Sequence, residues 1–164
     1  MDQKKFFRTW FESKTILPEH IDLKIRQIYV WVVSKDNMVA IVTKDDGKSQ
    51  FPGGHPEQGE KSIETALREV NEEAGLDISS YISDLKFFGY YLIEENNEKY
   101  LQLRYLLQLP MTSDMYLLSM SERSDEERPV ASAQWVKLTE LPDYIPWTKG
   151  LKEYEKTMNL VLNK

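Results

Sequence analysis

One stretch, residues 53–76, constrains the fold more than any other because it joins a glycine-rich turn to a single amphipathic helix. Ser62 can cap the start of this helix with its hydroxyl, and Gly75 can end it in the left-handed conformation. Between them, apolar side chains recur at helical spacing and predict one buried stripe, formed by Ile63, Ala66, Leu67, Val70 and Ala74. We therefore expect a helix that packs against the core and is preceded by a glycine turn.

Three glutamates, Glu69, Glu72 and Glu73, are expected away from that stripe, at spacings that make their side chains neighbours. Like charges at this spacing destabilise a helix by about 0.2–0.5 kcal/mol per pair. The helix dipole disfavours Glu72 and Glu73 further because its negative end lies in the last turn. A positive centre would relieve this repulsion, and Mg²⁺ or Mn²⁺ suits such hard oxygen ligands. The cluster indicates either a divalent-metal site or a solvated acidic face.

The spacing of polar residues extends beyond the glutamates. Gly54 is followed after five residues by Glu60 and, after seven more, by the run Arg68-Glu69-Val70-Asn71-Glu72-Glu73-Ala74-Gly75-Leu76. This pattern resembles the box of the Nudix hydrolases without a departure. The box covers residues 54–76, and a looser resemblance, in the order of strands and closing helix, covers about residues 22–162.

The resemblance implies an α/β/α sandwich, in which a mixed β-sheet lies between helices in a single domain over residues 1–164. It also implies a hydrolase that uses Mg²⁺ or Mn²⁺ and attacks phosphorus with water. The substrate would be a nucleoside triphosphate, a dinucleoside polyphosphate or a nucleotide sugar. The alternative is a non-catalytic Nudix-like module that senses a nucleotide. Such a module would be expected to lose one or more box glutamates, and this chain keeps all three.

The resemblance also implies roles for individual residues, beginning with the catalytic residues Arg68, Glu69, Glu72 and Glu73. The three glutamates are expected to ligate the metal, and the backbone carbonyl of Gly54 is expected to be an additional ligand. Arg68 is expected to hold Glu69 and Glu60 in place through charge-assisted hydrogen bonds. Glu60 is expected to support the structure rather than to bind the metal.

The general base stays open between two positions. In parts of the family a glutamate on the loop before the last strand takes this role, and in others a box glutamate does. Residues 131–134 carry no glutamate, but Glu126 and Glu127 lie upstream and could reach in from the loop. The alternative for these two residues is an exposed acidic loop.

Five further residues are candidates for contacts with a substrate base or phosphate: Trp31, Phe51, His55, Tyr91 and Arg104. Tyr90 and Tyr91 lie after the box, at a position that resembles the place of a tyrosine in diadenosine polyphosphate hydrolases. Packing in the core explains aromatic residues in an aromatic-rich strand equally well.

The remaining chain alternates strand patterns with turns. Residues 2–14 are expected to form a short N-terminal helix with Phe7, Trp10 and Phe11 on one side, within a helical extension over residues 1–20. This helix could be a flap on the core, a dimer contact or a substrate lid. Strands are expected at residues 24–34, 38–44, 85–93, 100–109 and 133–138, with a long loop over 110–129 and a closing amphipathic helix after Trp147.

Charge and composition restrict the partners. The net charge of −6 disfavours a nucleic-acid partner, including RNA as the substrate. The absence of cysteine excludes disulfides, thiolate metal sites and cysteine nucleophiles. The longest apolar run, residues 28–33, is too short to cross a membrane, and no signal-peptide core is evident. We expect a cytoplasmic protein that binds a small nucleotide as a monomer or a homodimer.

Overall fold

The sheet is organised around a strand that is apolar on both faces. In a computed structural model, which describes residues 5–119 and 130–163, this strand is Lys24–Val33. The strands are β1 (Phe6–Glu12), β2 (Lys24–Val33), β3 (Met38–Lys44), β4 (Ser49–Gln50), β5 (Gly53–Gly54), β6 (Lys86–Glu95), β7 (Glu98–Gln108) and β8 (Val130–Lys137). The α-helices are α1 (Ser62–Ala74), α2 (Leu141–Tyr144) and α3 (Lys152–Leu162).

These strands form one eight-stranded mixed sheet. Its main order is β1-β6-β7-β2-β3-β4, while β5 pairs with β2 and β8 pairs with β3. The β2–β7 pair is parallel, and the other pairs are antiparallel. The predicted hairpin is confirmed as β6 and β7, which turn at Asn96 and Asn97 in the left-handed conformation.

Helices cover both faces of this sheet. On one face, Ile28 and Val30 of β2 pack in the same core cluster as Ala66 and Val70 of α1. On the other face, Trp31 packs in a second cluster with residues of α2 and α3, among them Leu141 and Val161. The predicted α/β/α sandwich is confirmed, and so is the two-sided burial of β2.

The N-terminal segment is a strand, so the predicted helix over residues 2–14 is wrong where the structure describes it. Strand β1 pairs antiparallel with β6, with Trp10 opposite Tyr91. The ring of Trp10 lies 5.0 Å from that of Tyr91 on one face, and Phe11 stacks on Tyr90 at 5.3 Å on the other. The strand forms because the edge of β6 offers backbone partners and aromatic contacts on both faces at once.

The ends of the helices differ from the prediction by small amounts. Helix α1 begins one residue earlier than expected, because Lys61 is the cap and Ser62 is already helical. The Lys61 N–H donates to Glu64 at 2.7 Å. Gly75 ends the helix with a φ of 69°, as predicted. The closing helix starts at Lys152, after a short 3₁₀ turn at Pro146–Thr148.

Residues 110–119 are irregular apart from a 3₁₀ turn at Ser113–Met115, and the rest of the predicted loop lies outside the described residues. Two more 3₁₀ turns, Pro18–His20 and Ser79–Asp84, precede β2 and β6, and a third, Leu138–Glu140, leads into α2. None of the helices within residues 5–119 and 130–163 has the length and apolar character needed to cross a bilayer.

Candidate active site

The C-terminal half of α1 lies against β5, which consists of two glycines, Gly53 and Gly54. Gly54 pairs with Ile28 of β2, and a Cβ atom at Gly54 would lie 2.5 Å from Oε1 of Glu69. A Cβ atom at Gly53 would collide with the Ile28 carbonyl. Glycine at Gly53 therefore lets β5 lie close to β2, and glycine at Gly54 lets the β5 backbone approach the Glu69 carboxylate.

Two of the three predicted glutamates are buried, contrary to the expectation that all lie away from the apolar stripe. Glu69 is 8% exposed and Glu73 is 5% exposed, whereas Glu72 is half-buried. Glu69 and Glu73 are four residues apart and flank the stripe of Ala66, Val70 and Ala74. Neighbouring strands and β5 cover this border of the helix, so both carboxylates lose contact with water.

Arg68 connects the carboxylates. Its Nε donates to Glu60 Oε1 at 2.8 Å, and Nη2 donates to Glu60 Oε2 at 3.1 Å. Nη1 donates to Glu69 at 2.9 Å and to Glu72 at 3.2 Å. Nη2 also reaches the backbone carbonyl of His55 at 2.9 Å. One guanidinium therefore ties the glycine-rich loop to the acidic end of α1.

Glu60 is fully engaged inside this network. Besides Arg68, it accepts hydrogen bonds from the Thr65 hydroxyl at 2.6 Å and the Glu57 N–H at 2.9 Å. The Arg68 hydrogen bonds lower the pKa of Glu60 to about 2, and the Thr65 and Glu57 bonds act in the same direction. The arrangement suits a carboxylate that positions Arg68.

Glu73 is paired differently, with a lysine that the sequence analysis missed. Lys44 Nζ lies 3.0 Å from Glu73 Oε2, and both side chains are buried. Burial raises the pKa of Glu73 to about 7, against the opposing effect of Lys44. Burial also raises the pKa of Glu69. The signal for Lys44 was present in the sequence: Ala40, Val42 and Lys44 alternate along β3, which places the lysine on the face that α1 covers.

The site has more acidic groups than cations, which favours binding of a divalent cation. Arg68 and Lys44 contact four carboxylates that are at least half-buried, Glu60, Glu69, Glu72 and Glu73, and Arg68 also lies 3.8 Å from the exposed Glu57, so the acidic groups outnumber the cations. Within the described residues, no three acidic or histidine side chains are gathered as a preformed metal site. Arg68 draws Glu69 and Glu72 to one side, and Lys44 holds Glu73.

The residues present nevertheless fit a hard divalent ion. The donors are carboxylate oxygens that outnumber the neighbouring cations, and the missing Cβ at Gly54 leaves its backbone against Glu69. Ligation by Gly54, Glu69, Glu72 and Glu73 stays a prediction.

The predicted substrate contacts lie elsewhere. Trp31, Phe51, Tyr91 and Arg104 are each 3% exposed or less, inside the core that α3 covers. Trp31 Nε1 and Arg104 Nε both donate to Glu153 of α3, at 2.8 and 2.6 Å. Trp31 and Arg104 therefore link the sheet to α3, and a role of these four residues in substrate binding stays a prediction.

The remaining candidates are divided between the loop and the undescribed segment. His55 is exposed, and its Nδ1 hydrogen bonds to the Arg26 carbonyl at 2.8 Å, beside Arg68. Glu126 and Glu127, the candidate bases, lie outside the described residues.

A groove of about 1160 Å³ lies at the other end of the sheet. Its lining includes Ser34, Lys86, Gln108 and Leu160, and none of residues 54–76. Ser34 is six residues along the chain from Ile28, which corresponds to roughly 20 Å of strand. The groove is therefore separate from the acidic end of α1.

Comparison with known proteins identifies the family of this chain. The NUDIX domain family matches residues 24–157 of the chain. A curated relative, "Putative mutator protein MutT4" of Mycobacterium tuberculosis, is 32% identical over 97 residues. That match covers 59% of this chain and 36% of the relative, so the chain spans about a third of the relative's length.

Solved structures show the same fold at low sequence identity. An Ap4A hydrolase binary complex from C. elegans has a TM-score of 0.58 at 14% identity, covering 84% of this chain and 99% of that one. A bifunctional NMN adenylyltransferase/ADP ribose pyrophosphatase from Francisella tularensis, complexed with AMP and a Mn ion, has a TM-score of 0.59 at 12% identity. It covers 85% of this chain and 41% of its own. Because the family match extends over most of its length, this chain belongs to the Nudix hydrolase family.

Proposed function

We propose that the chain is a metal-dependent hydrolase that cleaves the diphosphate linkage of a nucleoside diphosphate derivative by attack of water on phosphorus. One observation carries the proposal: Arg68 contacts Glu60, Glu69 and Glu72, which form with Glu73 a carboxylate cluster in which acidic groups outnumber cations, as suits a divalent ion. Family membership supports hydrolysis as the reaction.

Mg²⁺ or Mn²⁺ is the proposed cofactor, held by Glu69, Glu72, Glu73 and the Gly54 carbonyl. When bound, the ion would supply positive charge at the diphosphate and polarise the attacking water. The Francisella tularensis protein is complexed with a Mn ion, which supports a metal of this class.

The chain's own residues would prepare this site before substrate arrives. Glu60 fixes the guanidinium of Arg68, and Arg68 in turn orients Glu69 and Glu72. Burial of Glu69 and Glu73 keeps their carboxylates in a weakly screened environment, where they would attract a cation more strongly than in water. The general base stays open between a box glutamate and Glu126 or Glu127.

A small nucleotide is the proposed substrate class, with triphosphate, dinucleoside polyphosphate and nucleotide sugar as its members. The C. elegans Ap4A hydrolase and the AMP complex from Francisella tularensis support a nucleotide. The net charge of −6 supports a small-molecule partner over a nucleic acid. A cytoplasmic location and a monomeric or homodimeric state stay predictions.

The test is a panel of these nucleotides, incubated with Mg²⁺ or Mn²⁺ and assayed for phosphate release after a coupling phosphatase. We expect release from at least one member, dependent on the metal, and identification of the products then names the bond that is cut. Calorimetry with nucleotide separates the alternative, because a sensor module would bind a nucleotide without turnover. Absence of both turnover and metal uptake would contradict the proposal.

A further inference from the structure

Lys44 is an unusual neighbour for a predicted metal ligand. Its ammonium lies 3.0 Å from Glu73 Oε2, and the side chains are only 6% and 7% exposed. Lysine is almost never buried without a partner, and Glu73 is the partner here. The carboxylate that the proposed metal needs is therefore already neutralised by a cation of the chain itself.

The fold holds Lys44 in this place. Alternation along β3 directs Ala40, Val42 and Lys44 to the α1 face. The β3–β8 register shifts between Thr43 and Lys44, but the extra residue lies in β8, so the alternation along β3 continues to Lys44. The Lys44 N–H donates to the Lys48 carbonyl, and the Lys44 carbonyl accepts from Gly47, both at 2.9 Å. These hydrogen bonds hold the Lys44 backbone in the turn between β3 and β4.

We infer that Lys44 is a built-in counter-cation of Glu73 that a divalent metal must displace, so that this lysine sets the metal affinity of the site. The inference rests on the proposed function, because it concerns the same carboxylate. A divalent ion on Glu73 would bring a second positive centre next to a buried ammonium, and the two repel each other. The chain therefore binds metal less tightly than its carboxylates alone would allow.

The displaced ammonium couples metal binding to the arrival of an anion. Metal alone leaves Lys44 without its partner, whereas phosphate oxygens beside the site can accept its hydrogen bonds. Phosphate then lowers the free-energy cost of leaving the Lys44 ammonium without its carboxylate partner. By linkage, Lys44 should make metal and phosphate bind more cooperatively than metal–phosphate contact alone would. Metal uptake without substrate is thereby restrained.

Calorimetric titration with MnCl₂ alone tests the inference in the wild type, Lys44→Met and Lys44→Arg. Coupling between sites typically amounts to about 5–150-fold, so we expect Lys44→Met to bind Mn²⁺ roughly tenfold more tightly than the wild type. Lys44→Arg keeps the charge and should stay near the wild type. Lys99→Met, which removes an exposed lysine paired with Glu94, is the matched control and should not change the affinity.

The sign of the effect separates this role from a merely structural one. A lysine that only stabilised the fold would weaken metal binding when removed, so unchanged or weaker affinity in Lys44→Met overturns the inference. Equal Mn²⁺ affinity in the wild type and Lys44→Met overturns the inference and leaves the proposed metal dependence standing. Absence of Mn²⁺ uptake by both the wild type and Lys44→Met overturns the proposed metal dependence as well. Uptake by Lys44→Met where the wild type shows none supports the inference.

A second measurement needs no variant and covers the case in which Lys44→Met does not fold. The Nζ resonance of Lys44 is followed by NMR in the wild type during titration with diamagnetic MgCl₂. We expect this resonance to move as the ammonium leaves Glu73, while that of Lys99 stays in place. A Lys44 signal that is unchanged at saturating Mg²⁺ overturns the inference.

Discussion

Arg68 donates two parallel hydrogen bonds to Glu60, from Nε to Oε1 at 2.8 Å and from Nη2 to Oε2 at 3.1 Å. This two-point contact leaves Nη1 free to reach Glu69 and Glu72. The geometry needs a planar guanidinium, because an ammonium cannot make the paired contact and also extend to the other carboxylates.

Arg68→Lys should therefore weaken the site although the charge is kept. We expect a loss of about 1–3 kcal/mol in the free energy of unfolding, since several charge-assisted hydrogen bonds disappear. Turnover should fall by about 10–100-fold as Glu69 and Glu72 lose their orientation. Urea unfolding and steady-state kinetics measure the two effects. Lys99→Arg, the reverse exchange at an exposed pair with Glu94, is the control and should alter neither.

The pH dependence of stability should reveal the low pKa of Glu60. Its pKa is about 2 in the folded chain and about 4.5 ordinarily, so the folded state binds fewer protons than the unfolded state between these values. The contribution is present above pH 4.5 and is lost as the pH falls toward 2, by up to about 3 kcal/mol. Glu60→Gln should lose stability at pH 7 and converge on the wild type near pH 2.

Urea titrations at several pH values measure this difference. Glu57 also lies near Arg68, at 3.8 Å, but its side chain is 72% exposed, so Glu57→Gln should follow the wild-type curve. A Glu60→Gln curve parallel to the wild type at every pH would rule out Glu60 as the source.

Glu72→Gln and Glu73→Gln should differ in stability, although the sequence pattern treats the two glutamates alike. Both should lower turnover by orders of magnitude if they hold the metal. Glu72 is half-buried, and its loss should change stability little. Glu73→Gln replaces the charged partner of buried Lys44, and about 1–3 kcal/mol should be lost. Thermal unfolding of both variants, measured beside the kinetic assay, tests the expected difference in stability. Equal melting temperatures for Glu72→Gln and Glu73→Gln would contradict it.

Gly54→Ala should damage activity more than stability. The added methyl carbon would lie 2.5 Å from Glu69 Oε1, so the carboxylate or the β5 backbone must shift. We expect turnover to fall at least about tenfold, with a loss of about 1–3 kcal/mol from crowding. Gly59→Ala is the contrasting control: its φ of +79° strains the backbone by about 1–2 kcal/mol, yet no atom is near. Normal turnover in Gly54→Ala would remove this glycine from the site.

Arg104→Met should act on stability rather than on substrate binding. Arg104 Nε donates to Glu153 in the core, and removing one partner of a buried pair typically costs about 3–5 kcal/mol. Trp31→Phe, which removes another donor to Glu153, should cost about 1–3 kcal/mol. Denaturant unfolding measures the stability of each variant, and steady-state kinetics measures its KM. A raised KM with unchanged stability would instead support the substrate role predicted from the sequence.

Short-range patterns were sufficient for much of the fold. The stripe of α1, its glycine end, the two-sided β2 and the β6–β7 hairpin follow from periodicity and turn residues that lie close together in the chain. The Nudix assignment likewise follows from the spacing of residues 54–76 within one loop and helix.

The sequence by itself determined that a loop and a helix would bring Gly54, Arg68 and the box glutamates together, because all of them lie on adjacent elements. Only the tertiary structure decided that residues 6–12 form a strand, that Glu73 pairs with Lys44, and that Trp31 and Arg104 support α3. The physical reason is that strand pairing and the pairing of buried charges join residues distant in the chain. Local patterns specify which side chains are available, but only the packed fold selects their partners.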